Sequence, residues 1–400
     1  MKRNILSAAT LLGLALTFGG CAKDVLNEPT SQVNLVFDVP EISGTYTLKS
    51  LNVTFQEINS GITQTIPVID LSNPSLQPTL ALGTYNISLE GDITITENGN
   101  TKTYKLQGVK ENVVISSASS GARVSLSLSD PAANFIFEEI FFTGTVTPEG
   151  KAYNGDKYFI IYNNSLDTLY ADGLLIAQSA FLTTAKREYT PDILNEAFTS
   201  QQIVKIPGTG KQYPVAPGDQ IVIANNAINH KEYNINSADL SNADFEIELL
   251  SSINVDNPAV QNTISVSGNM TMHNRGFQSY VLARLPENVS LDNWKSENRY
   301  TYSYVGTTGR VTAADGYKIS NDYIVDAVNL SVEESYEWLV TAPQLDMGWS
   351  YAGRTNSDAT RYGKSVLRKV LSTTADGRVI YQDTNNSTKD FIPEAKPTLF

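Results

Sequence analysis

Chemistry that needs an imidazole or a thiol has little to work with in this sequence, which contains two histidines, His230 and His273, and one cysteine, Cys21. His230 follows Asn225-Asn226-Ala227-Ile228-Asn229, just past a strand end, and reads as a loop histidine bonded to local backbone. No glycine-flanked serine elbow accompanies it. Glu138 and Glu139 are adjacent carboxylates. On a strand they point to opposite faces, so they do not flank a single bond. Gly208-Thr209-Gly210-Lys211 is shaped like a phosphate loop, but Lys205 stands where the pattern needs Gly and Gln212 where it needs Ser or Thr. It reads instead as a hairpin turn. Met270, Met272 and His273 would be soft metal ligands. Strand alternation separates the histidine from the methionines, and core packing is the preferred reading. Asp383, Asn385 and Ser387 fall at calcium-loop spacing, with Glu394 at the twelfth place. Thr388 replaces the glycine such a loop requires, and an Asx-rich turn accounts for the segment. The expectation is therefore no catalytic residue, no metal site and no cofactor.

Aromatic side chains are the better signal. Tyr300, Tyr302 and Tyr304 alternate, which puts all three rings on one strand face, with Trp294 just upstream. Trp349, Tyr351, Arg354, Arg361 and Tyr362 make a second aromatic and polar group. Exposed rings beside hydrogen-bonding groups suit sugars or flat ligands. The competing reading is cross-strand tyrosine packing, which stabilises a sheet by about 0.2–1 kcal/mol per pair. Tyr300, Tyr302, Tyr304, Trp349, Tyr351 and Arg354 are the candidate ligand-binding residues.

The formal net charge of −13 and the lack of a Lys/Arg cluster exclude a nucleic-acid partner. Lys2 and Arg3 precede an apolar run, Ile5–Phe18, and then Gly19-Gly20-Cys21. The run is too short for an ordinary membrane span. The pattern resembles a bacterial lipoprotein signal peptide, which implies cleavage after residue 20 and lipidation of Cys21. The membrane partner is then the N-terminal lipid. Ala22-Lys23-Asp24 resembles a reduced form of the Bacteroidetes surface-export signal, which implies the outer membrane and its outward face. Asp167-Thr168-Leu169 is similar to the triplet that Bacteroides use for O-glycosylation, which marks Thr168.

The elements that must position these residues are mostly strands. After a tether (21–32), period-two runs occur at Val33/Leu35/Phe37, Leu51/Val53/Phe55, Tyr85/Ile87/Leu89 and Val124/Leu126/Leu128. Turn residues separate them, and Asn98-Gly99 is a strong hairpin signal. This predicts a β-sandwich over 33–130, with a boundary near Ser129-Asp130-Pro131. Residues 131–400 are also β-rich, with strands at Phe135–Ile140, Tyr158–Tyr162 and Gln220–Ala224 and longer connections. A helix is expected from Thr190 (N-cap) and Pro191 through Phe198, and another from Ser331 with Glu334 in a capping box.

Leu82-Gly83-Thr84-Tyr85 resembles the corner of prealbumin-like, immunoglobulin-like domains. Glu138-Glu139-Ile140, Asp156–Asn164, Pro217–Ala224 and Gly363–Arg368 resemble a lamin-tail-type immunoglobulin-like domain, with insertions between Phe181 and Val215 and between His230 and Tyr351. Through Phe137–Thr145, Tyr213–Lys231 and Gln382–Phe391 the chain resembles a family of Bacteroides lipoproteins, the domain of unknown function 4876. The fold class implied is mainly β: an N-terminal sandwich, then a larger lamin-tail-like sandwich with insertions. The function expected is a non-catalytic, lipid-anchored surface protein that binds a ligand or partner, for example beside an outer-membrane transporter. An adhesin or surface-assembly component is the alternative, and a hydrolase a distant third.

Overall fold

Alternation carries directly into burial: Val33, Leu35, Phe37, Leu51, Val53, Phe55, Ile87 and Leu89 all sit in one core at 0–2% exposure. The computed structural model describes residues 29–97, 100–116, 120–129, 134–247 and 255–400. Cys21, the signal segment, Asn98-Gly99 and Asp130-Pro131 lie outside these residues. The first core is enclosed by two sheets. One is ordered Thr63–Pro67, Thr45–Glu57, Gly83–Glu97, Asn100–Ile115 and Ser127–Ser129. In the other, Thr30–Asp38 pairs with Ser75–Leu76, Thr79–Ala81 and Ser120–Ser125. Glu97 pairs with Asn100, so the expected hairpin is present around the two intervening positions. Tyr85 donates its hydroxyl to the Ala81 carbonyl at 3.1 Å, which pins the corner at Leu82-Gly83. The outer face of the long sheet is polar.

The larger region packs two seven-stranded sheets. The first is ordered Gln261–Asn262, Phe245–Glu246, Gln220–Ala224, Tyr158–Asn163, Phe135–Phe141, Ser365–Arg368 and Phe391–Ala395. The four segments that suggested an immunoglobulin-like domain thus supply four adjacent strands. The second sheet is ordered Arg299–Val305, Val311–Ser320, Ala197–Lys205, Leu175–Ser179, Tyr280–Ala283 and Ile324–Val328, with Ile264–Ser267 also on Ala197–Lys205. Phe137, Phe159 and Ile223 from one sheet meet Ile176, Val204 and Leu282 from the other. Phe135–Phe141, Tyr158–Asn163, Leu175–Ser179 and Tyr280–Ala283 are buried on both faces, because other layers cover the outside. A helix, Leu291–Asn298, capped by Ser290, inserts Trp294 over the second sheet, where it stacks on Tyr317 at 5.6 Å. The chain end covers the first sheet, with the Phe400 ring 5.0 Å from Phe141.

Two helix expectations are corrected. Thr190 does not cap a helix; its amide donates to the Ser303 carbonyl at 2.8 Å and its own carbonyl accepts from the Ser303 amide at 2.9 Å. Ala197 and Phe198 open a central strand paired to Ser320 and Ile319. A buried sheet position outweighs the helical spacing there. After Ser331 only a single 3₁₀ turn forms, Glu333–Ser335.

Candidate functional site

The Arg299–Val305 strand pairs with Val311–Ser320 along its length, and its even positions face one side. Tyr302 is 4% exposed and belongs to a cluster with Phe181, Trp338 and Val340, with Tyr189, Tyr300 and Tyr304 packed around it. Tyr189 lies flat on Phe181, centroids 3.7 Å apart, and near-parallel to Trp338 at 5.8 Å. Tyr304 meets the Tyr189 edge at 5.4 Å. Trp338 is fixed by its indole N–H, which donates to the Leu182 carbonyl at 2.8 Å. Tyr300 turns away from the opening and shares a 2.5 Å hydrogen bond with Thr199. Burial and the neighbouring tyrosines push Tyr302 up to about 12, so the cluster is uncharged at neutral pH.

Phe181, Tyr189, Tyr302 and Tyr304 line a cleft of about 440 Å³ together with Arg187 and the hairpin residues Gly306, Thr307 and Thr308. Tyr189 and Tyr304 are half-buried. Arg187 and Tyr189 also border a second hollow of about 290 Å³, which Lys186, Asp192 and Trp338 line and Glu111 of the first domain closes. An aromatic-lined cleft with placed polar groups is an ordinary form of a small-ligand site. A larger hollow of about 650 Å³ lies between the domains, where Asn52, Thr54, Glu90 and Lys105 face Met347 and Lys389. It has no aromatic side chain, and contacts of Gln107 with the Thr384 carbonyl and of Lys389 with Glu90 bridge it.

Of the three alternating tyrosines expected from the sequence, Tyr302 and Tyr304 line the cleft and Tyr300 does not; Phe181, Arg187, Tyr189 and the adjoining Trp338 were not expected. The aromatic spacing Phe181/Tyr189 in a long connection was the only available signal. The second predicted group does not join the cleft. Trp349 stacks on Tyr336 at 5.0 Å, Tyr351 lies beside Trp349, and the exposed Arg354 sits 5.5 Å over Tyr351 and 3.8 Å from Glu394. Arg361 is buried on Tyr362 and donates to the carbonyls of Asn274 and Asp358. Thr168 is exposed.

The remaining candidates resolve into structure. His230 is buried. Its Nε2 lies 2.9 Å from the Asn226 carbonyl and its Nδ1 is 2.7 Å from the Tyr153 hydroxyl, so Nε2 donates and Nδ1 accepts. Met270 and Met272 are core residues, and His273 stacks on Phe277 at 4.6 Å. Burial, then Arg275, Lys157 and Arg361, hold His273 down to about 4. Glu138 occupies a bulge and accepts from Tyr381 at 2.6 Å, whereas Glu139 accepts from the Thr398 amide at 3.1 Å. Their partners differ, as opposite faces require. The Gly208–Lys211 segment is no hairpin. It is a loop that wraps the Asp172 carboxylate with the amides of Gly210, Gln212 and Tyr213 at 2.8–3.0 Å. A carboxylate of the chain itself thus fills the nest. In the Asp383 segment, Asp390 accepts from the Thr384 and Asn386 amides, which is an Asx-rich turn. No group of three or more His, Cys, Asp or Glu that could hold a metal occurs among the described residues.

Residues 216–398 match the family described as Protein of unknown function (DUF4876). A crystal structure of a DUF4876 family protein from Bacteroides thetaiotaomicron VPI-5482 is similar to this chain at 26% identity and a TM-score of 0.60, over 92% of this chain and 96% of that one. No curated protein matches. The matched segment contains Tyr302, Tyr304 and Trp338; Phe181, Arg187 and Tyr189 precede it.

Proposed function

We propose that this is a non-catalytic, lipid-anchored protein of the outer-membrane surface that captures a small ligand in the cleft lined by Phe181, Tyr189, Tyr302 and Tyr304. The observation that carries the reading is a preformed aromatic cleft with two half-buried tyrosines and one cation among its lining residues. The anchor rests on the Lys2-Arg3…Cys21 pattern, and the lamin-tail-like reading of the larger domain on its four adjacent strands. No helix among the described residues is long and apolar enough to cross a membrane, a statement that leaves β-barrels aside. The sequence names no transporter partner, and Thr168 is an exposed site for O-glycosylation.

Thermal stability against glycans, haem, siderophores, cobalamin and divalent metals tests the capture reading, because a ligand selective for the folded state raises the melting temperature. A saturating shift lost in Tyr304→Ala is expected; a shift that survives that change would move the site elsewhere. Labelled palmitate should enter the wild type and not Cys21→Ser. One observation favours surface assembly by strand addition as a second reading. Arg299–Val305 is an edge strand whose outer side, among the described residues, pairs with Thr190 through its bridge to Ser303.

A further inference from the structure

Arg187 is the only charged residue among those lining the aromatic cleft. It is half-buried, and among the described residues it has neither a carboxylate partner nor a side-chain hydrogen bond. The other arginines that are buried or half-buried are all engaged. Arg284 donates to the Tyr170 and Asp172 carbonyls, Arg361 to Asn274 and Asp358, Arg368 to Asp326, and Arg378 to Ser165. A guanidinium with no partner in the protein keeps its N–H donors free for a ligand. In a chain of net charge −13, an unpaired cation in a cleft is also not part of a general positive field. Glu188 and Asp192 border the adjoining hollow and not the cleft itself.

We infer that the cleft takes an anionic sugar, with a carboxylate or sulfate on Arg187 and sugar C–H groups packed against Tyr189 and Tyr304, whose planes are inclined at 64°. This rests on the capture reading above. The planar guanidinium fork matches an oxyanion in two parallel hydrogen bonds. The Tyr rings form an angled apolar corner for the C–H groups of a sugar. Hydroxyls of Thr307, Thr308 and Thr312 stand at the rim, where sugar hydroxyls would be. A flat aromatic acid would use the rings and Arg187 but leave three hydroxyls without a role.

Calorimetric titration of the purified protein with a galacturonate tetramer, a 6-sulfated galactose tetramer and the neutral galactose tetramer tests this. At least one anionic tetramer should bind ten-fold or more tighter than the neutral one, and the stronger of the two identifies carboxylate or sulfate. Arg187→Gln should erase that preference and keep the residual neutral binding, whereas Tyr304→Ala should weaken every tetramer. The preference should also shrink between 50 and 300 mM salt. Equal binding of neutral and anionic tetramers overturns the inference and leaves the cleft as a binding site. Absence of binding by all three overturns it too, and the wider ligand panel then decides the capture reading separately.

Discussion

Arg368 and Asp326 meet at 2.6 Å with 1% and 4% of their side chains exposed, one from each facing sheet of the larger domain. Both also grip the same residue: Asp326 accepts from the Phe137 amide at 2.6 Å and Arg368 donates to the Phe137 carbonyl at 2.7 Å. Asp383 at 3.3 Å and Asp390 at 4.0 Å crowd the same guanidinium. Burial raises Asp383, Arg368 offsets this, and Asp326 and Asp390 add to the rise. Arg368→Met leaves these carboxylates without a counter-charge and should cost about 3–5 kcal/mol. The urea midpoint measures it. A loss below about 1 kcal/mol would mean that the cluster protonates at little cost.

With two histidines in the chain, their titration is readable one resonance at a time. His273, held down to about 4, should remain neutral through pH 5, and His230 should also titrate below its ordinary value because burial outweighs its carbonyl and carboxylate neighbours. The sign follows from linkage. Between the folded value of about 4 and the unfolded value of 6.5, unfolding takes up a proton at His273. Stability therefore falls as pH falls through that window, by on the order of 2 kcal/mol from this group. NMR of the ring C–H signals checks the titration. A His273 midpoint near 6.5 would contradict it.

Packing and capture separate at two rings. Phe181→Ala removes a buried ring from between Tyr302, Tyr189 and Trp338 and should destabilise by about 3–5 kcal/mol. Tyr304 is half-buried at the rim, and Tyr304→Ala should cost about 1 kcal/mol or less while abolishing ligand shifts. Thermal melts with and without ligand compare the two. Equal destabilisation would make Tyr304 a packing residue.

A methyl group at residue 91 tests the first domain alone. A Cβ on Gly91 would sit 2.0 Å from the Ser50 carbonyl oxygen and 2.7 Å from the Leu51 Cα, both backbone atoms, beside the bulge at Leu48–Ser50. Gly91→Ala should cost about 1–3 kcal/mol. Scanning calorimetry should show the loss in the transition of the 33–128 core, with the second unchanged. One transition that shifts as a whole would make the two domains a single cooperative unit.

Strands were legible because their side chains report burial every second residue: Leu51, Val53 and Phe55 point in, and Asn52 and Thr54 stay partly or fully in solvent. The same rule placed Tyr300, Tyr302 and Tyr304 on one face. It failed at Ala197 and Phe198, whose helical spacing from Ile193 and Leu194 is overridden by strands more than a hundred residues later in the chain. The cleft was half legible for the same reason. Tyr302 advertises itself by alternation, whereas Phe181, Tyr189 and Trp338 lie in irregular segments with no period to read. Arg187 could not be found from sequence, because an unpaired cation is defined by neighbours that are absent.

The strand that opens the larger domain, Phe135–Phe141, bonds on one side to Ser365–Arg368, which in turn bonds to Phe391–Ala395. A chain emerging N-terminus first can seal the 33–128 core early, but the sheet built on Phe135–Phe141 stays open until Phe391–Ala395 has arrived. Pairings of such long sequence separation are slow to form. Until then the larger domain would remain an unfinished, threadable polypeptide, and the Phe391–Ala395 strand would act as the clasp that shuts it.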